Sequence, residues 1–127
     1  MNYIKYTALF MILLLSLSIV GLQASATAPR YLKLQYHAST HTLKVTIMHF
    51  SPATKIHYVY RVEIDKNGAV YQAHLYTSQP RILLFSYTYN VIANPGDTLT
   101  VSAYCILWGY LSKTKTIATI ADSLTIP

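Results

Sequence analysis

The strongest constraint on the fold of this chain is a period of two in its apolar residues. In three separate runs, residues 32–36, 43–47 and 58–64, nonpolar or tyrosine side chains occupy every second position, and mostly polar side chains lie between them. Side chains of a strand alternate between its two faces, whereas an amphipathic helix repeats every three or four residues. The period therefore predicts half-buried β-strands.

Turn residues mark where the predicted strands end. Asn67 and Gly68 form a dipeptide that tolerates positive φ, so they predict a β-hairpin. Pro80 interrupts the chain further on, and the sequence Asn-Pro-Gly-Asp at residues 94–97 predicts another turn. Four more strands are predicted around these breaks: residues 69–76, 81–89, 98–106 and 115–120.

These seven short strands are accompanied by no amphipathic-helix pattern in residues 29–127. Such a chain is predicted to be all-β, and a length of roughly 100 residues favours an immunoglobulin-like antiparallel β-sandwich over a barrel or an α/β unit. We therefore predict one domain over residues 29–127. The fold class does not identify a function, because sandwiches of this kind serve in adhesion, binding and redox proteins.

Residues 1–28 have a different character. An uncharged run over residues 8–22 is followed by small residues at alternate positions, Ala24, Ala26 and Ala28. This order is typical of a secretory signal peptide, which predicts cleavage near residues 26–28 and a secreted or extracytoplasmic protein. The alternative is an uncleaved anchor, which would be the only membrane contact; about 15 apolar residues are fewer than the roughly 20 that a bilayer-spanning helix requires.

Charge and motif content exclude several classes of function. The chain has 10 basic and 4 acidic residues, but the basic residues fall singly along the sequence instead of clustering, which argues against nucleic-acid binding. Neither a Gly-x-Ser-x-Gly elbow nor a Gly-rich phosphate loop is present. Glu63 and Asp65 are the only carboxylates close in sequence, and their place beside Arg61 favours a salt bridge over acid–base catalysis.

Histidine and cysteine are the residues that remain for a chemical site. A single cysteine excludes an intramolecular disulfide and any Cys-rich metal cage, so a metal would be held mostly by histidine. His49 ends one predicted strand and His57 opens the next, so the two imidazoles can converge at one end of a sheet. Cys105 is in phase with the core side of its strand. Without a metal, the same residues would be a buried inert thiol and two hydrogen-bonded rings.

Two segments around these residues resemble a known family. Residues 49–64 read HFSPATKIHYVYRVEI and residues 103–109 read AYCILWG. They resemble the iron-binding domain of superoxide reductase (desulfoferrodoxin and neelaredoxin), in which a His-x-x-x-Pro-x-His-Tyr segment and a terminal Ala-Tyr-Cys-Asn-x-His-Gly segment lie on an immunoglobulin-like sandwich. The resemblance covers about residues 43–109.

The resemblance implies a mononuclear Fe(II) protein that reduces superoxide to peroxide with an external electron donor. His49 and His57 would be equatorial ligands and Cys105 the axial ligand. The family's histidine three residues after the cysteine is Trp108 here, and the two matched histidines are two residues further apart than in the family pattern. His37 or His41 would then complete the ligand set, and copper or zinc would suit the same nitrogen and sulfur donors.

A second function, from another class, is compatible with the same sequence. In this alternative the chain is a non-catalytic exported β-sandwich in which the metal site is lost or structural. It would bind a protein, glycan or surface partner through a tyrosine-rich face. The residues of that face would be Tyr58, Tyr60, Tyr71, Tyr76, Tyr87 and Tyr89.

Overall fold

The computed structural model of the chain describes residues 2–23 and 27–119, with side chains of the N-terminal helix as far as residue 15. Ala24 and Ala26, which belong to the predicted cleavage motif, lie outside the described residues. One helix and seven strands make up the described secondary structure: α1 (Tyr3–Gln23), β1 (Tyr31–His37), β2 (Thr42–Met48), β3 (Val59–Lys66), β4 (Ala69–Leu75), β5 (Leu84–Asn90), β6 (Thr98–Cys105) and β7 (Tyr110–Thr116).

The seven strands of the described chain form two antiparallel sheets. One sheet has the order β1-β2-β5 and the other the order β4-β3-β6-β7. The predicted β-rich fold and the number of strands are therefore confirmed. The hairpin predicted at Asn67 and Gly68 joins β3 to β4, and both residues have positive φ, 53° and 82°.

Alternation within the strands builds the core, as the sequence period predicts. Each sheet turns its apolar face inward, and the two faces pack against each other. The buried side chains include Leu32, Leu34, Leu43, Val45, Ile47, Val59, Val62, Ile64, Phe85, Leu99, Val101 and Ala103. Burying each large aliphatic side chain of this kind contributes about 1.5–3 kcal/mol, so this core is the main source of stability.

Strand register brings three chain positions to one end of the sandwich. β2 ends at Met48, which lies opposite Tyr31 at the start of β1. β3 begins at Val59, which pairs with Cys105 at the end of β6. The end of β2, the beginning of β3 and the end of β6 therefore delimit one end of the two sheets.

The last strand differs from the prediction. It runs over Tyr110–Thr116, not 115–120, and Tyr110 already pairs with Tyr104 of β6. Gly109 has φ 85°, a left-handed conformation that suits glycine, and it lets the chain reverse within the four residues after Cys105. The sequence pattern missed this strand because β7 is a polar edge strand in which only Leu111 is a large aliphatic residue.

The N-terminal helix α1 exposes its described apolar side chains, from Tyr3 to Leu15. Judged by length and hydropathy, no helical stretch within residues 2–23 and 27–119 qualifies as a bilayer-spanning segment.

Candidate metal centre

Three predicted ligands meet at the end of the sandwich defined above. One ligand atom each from His49, His57 and Cys105 lies within 4.8 Å of the others. The two imidazole rings are edge to face, with their centroids 4.6 Å apart and their planes at 78°. Two nitrogens and one sulfur thus converge from three different chain segments.

His49 is held at this position by main-chain hydrogen bonds beyond the end of β2. Its N–H donates to Leu83 O at 2.8 Å, and the N–H of Ser51 donates to Ile82 O at 2.8 Å. The chain after β2 therefore continues to pair with the segment before β5. This pairing keeps the His49 side chain buried, with 2% of its surface exposed.

His57 lies in a turn that accommodates the two additional residues between His49 and His57. The N–H groups of Ile56 and His57 both donate to Ala53 O at 2.9 Å, as in a single helical turn. That turn takes up the residues between Pro52 and β3. It brings the His57 ring back beside His49 although the two histidines are eight positions apart.

Cys105 is the last residue of β6 and is fixed by the turn that follows. Its N–H donates to Gly109 O at 2.9 Å, and the N–H of Ile106 donates to Tyr58 O at 3.0 Å. The thiol is buried, with the residue 4% exposed. The prediction that Cys105 faces the core side is confirmed.

Gln79 is a site residue that the sequence reasoning missed. Its side-chain oxygen lies 2.7 Å from Nδ1 of His49, and its side-chain nitrogen donates to the main-chain oxygens of His49 and Arg81 at 2.9 and 2.8 Å. Since the amide nitrogen faces two carbonyls, the oxygen must be the atom that faces the ring. Nδ1 of His49 is therefore an N–H donor, so Nε2 is the nitrogen through which the neutral ring would bind a metal.

The segment before β1 covers the other side of His49. The carbonyl oxygen of Thr27 lies 2.8 Å from Nε2 of His49, and the Thr27 hydroxyl donates to Trp108 O at 2.5 Å. The main chain of Trp108 thus holds this segment next to His49, while the Trp108 side chain is exposed. Nothing in the sequence pattern signalled this contact, because residues 24–28 read only as a cleavage motif.

The surroundings of His57 keep it in the neutral form. Burial lowers the pKa of His57, and the nearby ring of His49 lowers it further, against an opposing hydrogen bond to the main chain of Thr27. A neutral imidazole is the form that binds a metal. Its buried Nε2 has no hydrogen-bond partner among the described residues, which leaves this atom free to act as a ligand.

The donor set fits a transition metal. Two imidazole nitrogens and one thiolate suit Fe(II), Cu and Zn(II), and a histidine that binds such an ion usually donates its other N–H to an oxygen acceptor. Gln79 gives His49 such a partner. The residues present therefore fit a metal of this group.

The other histidines named from the sequence lie elsewhere. His37 and His41 belong to the β1–β2 hairpin, at the opposite end of the strands from His49. Six residues of strand separate Tyr31 from His37, which places that histidine about 20 Å from the site. The expectation that His37 or His41 completes the ligand set is not supported by the structure. His74, the fifth histidine, lies against Tyr89 with the ring centroids 4.3 Å apart and is half-buried.

A cleft of about 420 Å³ opens beside Cys105. It is bounded by the turn at residues 106–109 and by the rings of Tyr60, Tyr104 and Tyr110. Arg61, whose guanidinium pairs with Glu63, lies 5.6 Å from the centroid of the Tyr104 ring. Because Tyr104 and Cys105 are adjacent in β6, their side chains project from opposite faces of the sheet, so the Tyr104 ring lies on the face away from the buried thiol.

Comparison with known proteins adds limited information. No protein-family model and no curated protein sequence matches the chain. A solved structure of superoxide reductase (neelaredoxin) from Ignicoccus hospitalis is 13% identical, covers 71% of this chain and 80% of its own, and superposes with a TM-score of 0.46. A variant of that protein has the same identity, covers 76% and 85%, and gives a TM-score of 0.48. At this level the function of those proteins does not transfer by similarity, and any functional conclusion depends on the donor set itself.

Proposed function

We propose that the chain is a mononuclear iron protein of the superoxide-reductase kind. The observation that carries the proposal is the convergence of His49, His57 and Cys105, whose ligand atoms lie within 4.8 Å of one another. The reaction adds one electron and two protons to superoxide and gives hydrogen peroxide, and an external donor restores the electron. A ferrous ion held by these residues would supply that electron and an open position for a small oxidant.

In this proposal, the two histidines bind as neutral rings in fixed orientations. Gln79 holds the N–H of His49 on Nδ1 and so directs the lone pair of Nε2 toward the site. Burial lowers the pKa of His57, which favours the neutral ring over the imidazolium ion. Both rings are held in place by the fold, and the lowered pKa of His57 favours the form that binds a divalent cation.

Cys105 has the role of an electron-rich ligand. A thiolate pushes electron density onto its metal, which favours reduction of a bound oxidant. Binding to a metal would also explain an unpaired cysteine in an exported protein, where free thiols are otherwise prone to oxidation.

The proposal includes the finer assignments made from the sequence. Residues 1–28 would be a signal peptide, so the protein would act outside the cytoplasm. The sandwich would be of the immunoglobulin-like kind, because sheets of three and four strands in the orders β1-β2-β5 and β4-β3-β6-β7 fit a seven-strand Greek-key arrangement. Its partners would be superoxide and an electron donor, and not nucleic acid.

The test is to load the full-length chain with Fe(II) without oxygen, oxidise it, and record its absorption spectrum. We expect one iron per chain and a thiolate-to-iron charge-transfer band that disappears in Cys105→Ser. His37→Ala, in which the altered histidine lies at the far end of the sandwich, is the matched control and should keep both iron and band. A wild-type chain that binds no metal would contradict the proposal.

The alternative function receives less support from the structure. Of the six tyrosines expected on a partner-binding face, Tyr89 is buried and Tyr76 and Tyr87 pack against the core. Tyr71 is the member of the set with the most accessible side chain, at 36%. Half of the expected tyrosine-rich face is thus packed against the interior.

A further inference from the structure

The carbonyl oxygen of Thr27 lies against the ring of His49, 2.8 Å from Nε2. The main chain of Thr27 also acts on His57, whose pKa it raises against the effect of burial. Thr27 is 22 residues before His49 and belongs to no strand. The contact therefore brings the segment before β1 into the group of possible ligands.

A hydrogen bond from a neutral His49 ring does not account for its contact with Thr27. Gln79 presents its oxygen to Nδ1, which places the single N–H of a neutral ring at that atom. Nε2 of such a ring carries a lone pair, and so does the Thr27 oxygen that faces it. Two lone-pair atoms at 2.8 Å repel each other unless a cation, either a proton or a metal ion, lies between them.

The separation is the one expected for two neighbouring ligands of one ion. Nitrogen and oxygen donors lie about 2.0–2.2 Å from a metal of this group, so two of them at a right angle are roughly 3 Å apart. The observed 2.8 Å between Nε2 of His49 and Thr27 O agrees with that value. The oxygen is thus placed as a ligand would be.

Three contacts hold the segment that contains Thr27 in this position. Its hydroxyl donates to Trp108 O, and the neighbouring Ala28 packs on Gly109 so closely that a Cβ at Gly109 would come within 2.8 Å of Ala28 Cβ. Downstream, Arg30 N donates to Met48 O at 2.9 Å and ties the segment to the end of β2. The main chain at Trp108 and Gly109 therefore positions Thr27, although the Trp108 side chain has no nitrogen that could bind the metal.

We infer that the main-chain carbonyl of Thr27 is a fourth ligand of the metal, supplied by the segment before β1 and held in place by Trp108 and Gly109. The inference rests on the proposed metal site and goes beyond it. It assigns the metal a donor in addition to His49, His57 and Cys105.

The first test measures the affinity of full-length variants for Zn(II) and Co(II). Gly109→Ala should displace Ala28 and Thr27 and weaken binding by about 10- to 100-fold, the range for loss of a supporting contact at a metal site. Gly68→Ala is the matched control, because Gly68 has the same kind of positive φ, 82°, but no atom within 4 Å of its Cβ position. It should leave the affinity unchanged within about twofold.

A second substitution distinguishes displacement of Thr27 from a general loss of structure. Adding Ala28→Gly to Gly109→Ala removes one of the two clashing Cβ atoms and should restore most of the lost affinity. Failure of rescue, or equal affinities in the wild type, Gly109→Ala and Gly68→Ala, would overturn the assignment of Thr27 and leave the three-ligand site intact. Absence of any binding in the wild type would instead reject the metal site itself.

The second test reads the carbonyl directly and does not depend on a variant that folds. The sequence contains two Thr-Ala pairs, Thr7-Ala8 and Thr27-Ala28. A chain labelled with ¹³C at the carbonyl of threonine and ¹⁵N in alanine therefore gives two carbonyl signals. Zn(II) should move the Thr27 signal downfield and leave the Thr7 signal in α1 as the internal reference. A Thr27 signal that stays in place on saturation with Zn(II) would refute the inference.

Discussion

Gln79 holds His49 from two sides. The side-chain oxygen of Gln79 accepts from the imidazole of His49 at 2.7 Å, while its nitrogen donates to the main-chain oxygen of the same residue at 2.9 Å. Both residues are almost fully buried. The amide thus fixes the position of the backbone and the orientation of the ring together, which is what a metal ligand requires.

Replacing Gln79 by alanine should weaken metal binding more than it weakens the fold. Loss of the partner of Nδ1 frees the His49 ring to turn, and such losses reduce metal affinity by about 10- to 100-fold. The main-chain oxygens of His49 and Arg81 also lose a donor, which should lower the free energy of unfolding by about 1–3 kcal/mol. Zn(II) titration and urea denaturation measure the two effects.

Gln72→Ala is the matched control for that variant. Gln72 donates from its side chain to Asn90 O at 2.7 Å, but this contact is exposed and distant from the histidines of the site. Its loss should leave Zn(II) affinity unchanged and cost well under about 1 kcal/mol. Equal effects of the two glutamine variants on metal affinity would contradict the role of Gln79.

The sequence predicted the fold to a large extent because the strands bury one face. Alternation located β1, β2, β3 and β6 within a residue or two, and the hairpin at Asn67 and Gly68 followed from turn chemistry. The edge strand β7 was misplaced because its exposed, polar residues have no face to bury. The register in which the strands pair could not be derived from the alternation of apolar residues.

The site was predictable only in part, for a related reason. His49, His57 and Cys105 lie at strand ends, which alternation locates well. Gln79 and Thr27 act from irregular segments, and their contributions depend on main-chain hydrogen bonds that have no sequence signature. The histidines of the β1–β2 hairpin were considered because they precede β2 in sequence, but an antiparallel hairpin places its turn at the opposite end from its termini.

The centre of the four-stranded sheet should be the most sensitive part of the core. Ile64 in β3 is fully buried. Ile64→Ala removes a large side chain from a packed interior, and we expect the free energy of unfolding to fall by about 2–5 kcal/mol. Val70→Ala in the adjacent edge strand β4 is the control, since Val70 is 63% exposed and should change stability by less than about 0.5 kcal/mol. Similar losses in both variants would show that the β3 face is not the core.

The stacked tyrosines should resist ionisation in alkali. Burial, with Tyr76 close by, raises the pKa of Tyr87 to about 12, and burial with the hydrogen bond to Tyr76 raises the pKa of Tyr89 further. The unfolded chain releases these protons near pH 10, so their contribution to stability is complete below that pH and is lost as pH rises toward 12. Absorbance at 295 nm and circular dichroism should therefore show the last tyrosines ionising together with unfolding. Complete ionisation of all tyrosines near pH 10 in a folded chain would contradict the packing.

The proposed cleavage of the N-terminal segment leads to a prediction about the metal site. The sequence is compatible with cleavage anywhere near residues 26–28, but a cut after Ala28 would remove Thr27 and its contacts with His49 and Trp108. If the metal site depends on Thr27, a processed chain should begin at or before that residue. If the proposed signal peptide is cleaved, intact-mass measurement of the processed chain gives the position of its N-terminus. A protein that begins at Pro29 and still binds Zn(II) as tightly as the unprocessed chain would show that Thr27 is dispensable, whereas one that begins at Thr27 would keep the carbonyl in place and add a free amino group next to it.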